Sequence, residues 1–191
     1  MKVSREQMAA NRERILEVAG RLFRERGFEN VGVAEVMQVA GMTHGAFYGH
    51  FASKEALAAE AAAHALEQTT ARWRGILEKD GEKGLRDIVE RYLSPKHRDA
   101  PGAGCAIAAL GPEIARQDSV VRDAFAQEVI QQVGTLASCM PGGTTEEKRE
   151  KAMALLSQMV GAIVISRVLG RKSLSEDMLK AARHALELSS K

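Results

Sequence analysis

The side chains able to do chemistry gather in two places. Between residues 43 and 54 come a hydroxyl, two imidazoles, a phenol and an amine: Thr43, His44, Tyr48, His50 and Lys54. Each can donate a hydrogen bond and Lys54 adds a positive charge, which suits an anionic partner better than catalysis. Further along, Gly104-Cys105 sets a thiol after a polar stretch rich in Gly and Pro, with His97 and Arg98 just upstream. A helix N-terminus there would favour thiolate, the reactive form of cysteine. The alternative is a small buried hydrophobe, the usual state of a cysteine. No base or orienting group is recognisable around Cys105, so a thiol-dependent enzyme has no signature here. Cys139, ahead of Pro141, is a lesser thiol candidate.

The elements that must hold these residues read as helices, with no sustained alternation to mark a strand. Ser4 with Gln7 opens a first helix as a capping box; Met8, Ile15, Leu16, Ala19, Leu22 and Phe23 stripe it, and Gly27 stops it. A short helix follows from about Val33 to Ala40, with Gly32 as its cap and Gly41 after it. Another runs from Thr43 to near His50. Ser53 caps a long Ala-rich helix to about Lys79, and Gly81 and Gly84 bracket a break. A helix from Leu85 ends before Pro95, a loop spans 94–104, and the segment from Cys105 should kink or restart at Gly111-Pro112. A helix from about Ser119 to Ser138 stops at Pro141-Gly142-Gly143. Thr144 with Glu147, and Ser173 with Glu176, then open the last two. The expected fold is all-α with about nine helices.

Two short helices joined by a tight Gly-containing turn form a helix-turn-helix. Val33, Val36, Met37 and Ala40 face inward from the first, and Ala46, Phe47 and Phe51 seat the second. That leaves Thr43, His44 and Gly45 at the end where a recognition helix meets base edges. Lys54 sits in the first turn of a helix, against the macrodipole, beside a cap and free N–H groups that together suit a phosphate. The plainer reading is a surface lysine offset by Glu55.

The stretch from Gly27 to Leu57, GFENVGVAEVMQVAGMTHGAFYGHFASKEAL, resembles the TetR family of repressors, most specifically in GAFYGHFASKEAL. With the preceding helix the resemblance covers about residues 5–60. It implies that Thr43, His44 and Gly45 touch bases while Tyr48, His50 and Lys54 hold phosphates. Val31 and Gly32 stand where the family often has Thr and Ser. That hydroxyl contact is therefore lost, and Arg12 and Arg14 are the substitutes on offer.

The resemblance fades after residue 60, as expected of a sensing domain, and the division expected is 1–52 for DNA binding and 53–191 for ligand sensing and dimerisation. From Met159 to Leu169 the sequence is apolar on nearly every side, which requires burial all round, in a core or against a second subunit with Leu179, Ala182 and Leu186. The family's dimer is a four-helix bundle of these last two helices. The Gly104-Cys105 element also resembles one in a subgroup of the family, some of whose members respond to electrophiles or oxidants. Trp73, Tyr92, Phe125, Met153 and Met159 are candidates for an apolar ligand pocket, or else plain core.

Composition narrows the function. The chain of 191 residues carries 27 Lys/Arg against 25 Asp/Glu, too balanced for a DNA-packaging protein, and its net positive charge lies within the first 54 residues. Two cysteines exclude a disulfide framework and a Cys-rich zinc site. The N-terminus lacks a signal-peptide core, and the apolar run from Val160 to Ile165 is too short to span a bilayer. The expectation is a cytoplasmic repressor, not an enzyme and without a cofactor or membrane partner. It would bind a near-palindromic double-stranded DNA operator as a homodimer and leave it on meeting a small-molecule or electrophilic inducer, with Cys105 as the candidate thiol sensor.

Overall fold

The computed structural model describes residues 4–188, and all regular structure among them is helical. Helix α1 (Arg5–Arg26) starts where Ser4 Oγ accepts the N–H of Gln7 at 3.1 Å. The reciprocal half of the box is absent because the Gln7 amide donates to Asn11 instead, at 2.9 Å. Gly27 ends the helix at φ 80°, and its N–H returns to the carbonyl of Phe23. Helix α2 (Val33–Val39) is capped by Gly32 alone, and the recognition segment His44–Gly49 winds as a 3-10 helix rather than an α-helix.

Helix α3 (Lys54–Tyr92) is longer than expected. It bends only at Gly81 (φ 52°, ψ −128°), while Gly84 stays helical. A Cβ on Gly84 would meet the Ile76 carbonyl at 2.9 Å, so glycine is needed there for the close approach across the bend. The expected loop 94–104 is mostly helical: α4 (Pro95–Asp99) is followed by a 3-10 turn, Pro101–Ala103. Helix α5 (Ala106–Ile114) runs on through Pro112 without restarting. The proline falls in the last turn, where losing one backbone bond is tolerable.

Asp118 caps α6 (Ser119–Ala137), and Thr144 and Glu147 form a complete capping box on α7 (Thr145–Leu169). The last helix, α8 (Ser173–Leu188), includes Ser173 within its first turn.

Two cores result. One joins Ile15, Phe23, Val36, Met37, Phe47 and Phe51 to Leu57 and Leu66 of α3 and to Leu110 and Ile114 of α5. It therefore continues past residue 52 into the long helix. The other gathers Trp73, Tyr92, Leu136, Leu156, Met159 and Leu179. Helix α7 is not buried all round within one chain: Leu155, Met159, Ala162 and Ile163 face the second core, while Met153, Ile165 and Val168 are exposed. Leu179 and Ala182 of α8 are likewise buried within their own chain. An 18-residue window of α7 has a mean hydropathy of 1.8, enough by length and composition to cross a membrane. A core helix of a soluble protein passes the same test, and α7 packs part of its surface into the second core.

Candidate nucleic-acid interface and the cavity behind it

The recognition segment is seated by its aromatics. Phe47 is buried, stacks on Phe51 with ring centroids 5.9 Å apart, and meets Tyr48 edge-on at 5.2 Å. With Phe47 inside, its neighbours face outward. Thr43, His44 and Gly45 are exposed, and a Cβ on Gly45 would meet nothing within 4 Å. Tyr48 is 69% exposed and His44 lies edge-on to it at 6.1 Å. His50 and Lys54 are half-buried beside them.

Ser53 Oγ accepts the N–H of Ala56 at 3.1 Å, so the first turn of α3 carries a satisfied cap. Glu55 turns back to hydrogen-bond Ser53, which holds its carboxyl below the usual carboxylate range. Lys54 makes no ion pair among the described residues, so Glu55 does not offset it by a direct contact. Arg12 does not replace the hydroxyl missing at Gly32. Its guanidinium pairs with Glu60 and lies 4.7 Å from the centroid of the Phe51 ring, so only Arg14 stays exposed and unpaired. Val31 is in the core.

Residues 15–61 match the bacterial regulatory proteins of the tetR family. The head of this chain is thus similar to the DNA-binding head of that family. The uncharacterized HTH-type transcriptional regulator YerO of Bacillus subtilis is 29% identical over 92 residues, 48% of this chain and 32% of YerO. The chain thus matches about a third of that relative's length. The HTH-type transcriptional repressor DhaR of Mycobacterium sp. strain GP1 is 24% identical over 182 residues, 92% of this chain and 91% of DhaR. Among solved structures, the reduced form of E. coli NemR superposes with a TM-score of 0.78 at 20% identity, covering 93% of this chain and 96% of that one. The TetR fold therefore extends over nearly the whole length, well beyond the matched head.

Behind the head, the chain holds a cavity of about 590 Å³. Its walls are Trp73 and Ile76 before the bend of α3, Ile88 and Tyr92 after it, and residues of the 94–105 segment including His97 and Cys105. Of the residues expected at a pocket, Trp73 and Tyr92 are there. Phe125 packs in the first core, Met159 is enclosed in the second, and Met153 is exposed. Helical spacing placed all five on helices but did not tell which faces converge.

Two clamps frame the cavity. His97 joins the end of α3 to the start of α5: one ring nitrogen, Nδ1, donates to the Tyr92 carbonyl at 2.7 Å, and Nε2 accepts the N–H of Cys105 at 3.0 Å. Accepting at Nε2 requires the neutral ring, and burial pushes its pKa down accordingly. His97 thus holds the backbone of Cys105. The thiol itself is 2% exposed, lies in the cavity wall at the N-cap of α5, and is near enough to Arg24 and Arg167 to interact electrostatically. Arg167 spans from α7 to the carbonyls of Arg98 and His97, at 3.1 and 3.2 Å. Arg98 is buried and donates to Ser175 rather than to the thiol.

The second clamp ties the cavity to the head. Arg24, in the last turn of α1, donates from Nε and Nη2 to the Gly102 carbonyl at 3.0 and 2.5 Å. Glu113 of α5 accepts the N–H of Phe28 at 2.8 Å. Sequence reasoning missed both. Arg24 reads as one more basic residue complementing a helix C-terminus, and Glu113 as a surface carboxylate. Only the packing of α5 across α1 reveals their partners.

Proposed function

We propose that this chain is a cytoplasmic transcriptional repressor that binds a near-palindromic double-stranded DNA operator as a homodimer and is released by a small-molecule inducer. It is not an enzyme. The observation that carries this reading is the outward face of Thr43, His44, Gly45 and Tyr48, held on buried Phe47 with the unpaired Lys54 alongside. Thr43, His44 and Gly45 read base edges, while Tyr48, His50 and Lys54 hold phosphates. Lys54→Ala should weaken binding about equally on all sequences. It should also reduce the slope of log K against log salt by about 0.9. A change in base preference with an unchanged slope would remove Lys54 from the phosphate contacts. Thr43 or His44 substitutions should do the reverse and shift preference.

Dimerisation is supported by the exposed apolar face of α7, where Val168 is 84% exposed, and by Leu174 of α8. Val168→Asp is a better probe than a change at Ile163, which is fully buried in its own chain. Sedimentation of the unmodified chain as a monomer would refute the dimer. Release follows from the clamps: a ligand that moves residues 100–105 pulls on Gly102, Arg24 and α1, changing the spacing of two heads on adjacent major grooves.

A second reading makes Cys105 the sensor, favoured by its place in the cavity wall beside two guanidinium groups. Its thiolate would displace iodide from iodoacetamide, forming a carbon–sulfur bond and releasing DNA. Cys105→Ser should stay bound, and Cys139→Ser should respond as the unmodified chain does. Release that persists in Cys105→Ser ends that reading.

A further inference from the structure

We infer that the cavity takes a small amphipathic carboxylate, with its apolar body against Trp73, Ile76 and Ile88 and its anionic head toward Tyr92 and the cationic rim. The inference rests on reading this cavity as the inducer site. Its volume of about 590 Å³ lies within the range of small-molecule sites, and its inner wall supplies the apolar contact such sites use.

Charge at the rim selects the head group. Arg72, Arg91 and Lys96 line the cavity against one carboxylate, Glu90. None of the four forms an ion pair among the described residues. The chain as a whole is nearly balanced, with 27 basic and 25 acidic residues, so this excess of cations is local. Cations beside an apolar wall attract an anion more strongly than the same charges in open water. A ligand amine would be repelled there, and a neutral head would gain little.

The second observation is independent of charge. The Tyr92 side chain is 6% exposed and lines the cavity, and its hydroxyl has no oxygen or nitrogen partner, its polar neighbour being the Cys105 thiol, a weak hydrogen-bonding group that an oxygen acceptor would outcompete. Leaving a buried hydroxyl so weakly matched is costly, so a ligand oxygen that accepts from it recovers that energy. Burial pushes the Tyr92 pKa well up, which keeps the hydroxyl a donor. His97 cannot serve in its place, because both of its nitrogens are engaged with Tyr92 and Cys105.

Trp73 is the single tryptophan of the chain and sits in the cavity wall, so its fluorescence reports occupancy directly. The experiment titrates the full chain with octanoate, octanol and octylamine, three molecules sharing one tail. Octanoate should give a saturable change with a Kd at least about tenfold below that of octanol, and octylamine should give none. The triple variant Arg72→Ala, Arg91→Ala, Lys96→Ala should bring the octanoate and octanol affinities together while still binding octanol. Tyr92→Phe should weaken octanoate by roughly fivefold, about one hydrogen bond. Equal or tighter binding of octanol or octylamine, no octanoate binding, or a preference that survives in the triple variant overturns the inference. The readout needs no DNA. Octanoate binding by a chain that never binds DNA would refute the proposed function alone, and DNA binding without octanoate binding would refute this inference alone.

Discussion

The head and the cavity region are built on opposite terms. Around the short helices the core is closed: Phe47, Phe51, Met37 and Val36 fill the space, and no buried side-chain polar atom on those helices lacks a partner. Around the cavity the chain leaves about 590 Å³ unfilled and Tyr92 Oη without an oxygen or nitrogen partner, while Arg24 Nη1 and both amide atoms of Gln132 are buried unpaired elsewhere in the fold. Each unmatched polar group costs stability. A reader of a fixed DNA surface needs one rigid shape. Under the proposed function, the open cavity and the Tyr92 hydroxyl are what a ligand would complete.

The sharpest way to break this contrast is to damage the closed core. Phe47→Ala should cost about 3–5 kcal/mol in denaturant unfolding and abolish DNA binding. A loss under 1 kcal/mol would show that the head is not closely packed. Next comes the link between the regions. Arg24→Ala should destabilise by roughly 1–3 kcal/mol, through the lost bonds to Gly102. It should uncouple inducer binding, read by Trp73 fluorescence, from operator release. Release that still tracks ligand occupancy would mean the signal travels elsewhere.

At the cavity's own clamp the two nearby glycines should differ. A Cβ on Gly104 would lie 2.6 Å from Nε2 of His97, a ring fixed by two hydrogen bonds, so Gly104→Ala should cost roughly 1–3 kcal/mol. At Gly102 the nearest atom is the carboxylate of Glu25, the end of a flexible side chain that can swing away, so Gly102→Ala should be milder. The reverse order in thermal melting would contradict the clamp.

His97 also predicts a pH response. Its folded pKa lies below the ordinary value of 6.5, so the unfolded chain takes up a proton first as the pH falls. Stability contributed by the neutral ring is complete above about 6.5 and is lost as the pH drops from there through the lowered folded pKa. His97→Asn should remove that part of the slope; an identical pH profile would show the ring is not held neutral. The smallest effect belongs to Gln132, fully buried with both amide atoms unpaired. Gln132→Leu should stabilise by about 1 kcal/mol, since an apolar group of similar shape leaves nothing unmatched.

The sequence by itself determined most of the helix starts and the outward-facing residues of the head. Caps and stops are local, so Ser4, Gly27, Ser53 and Thr144 marked helix ends through bonds made within a few residues. The outward set from Thr43 to Lys54 was legible for the same reason, since Phe47 and Phe51 point inward on the same short segment. Tertiary structure alone decided the rest. Whether Met159 or Tyr92 lines a cavity depends on which helix faces meet, and the bend at Gly81 sets that for α3. Arg24 and Gly102 stand 78 positions apart, and Phe28 and Glu113 stand 85 apart. A hydrogen bond over such a separation leaves no mark on local spacing, because it forms only when whole helices pack against one another.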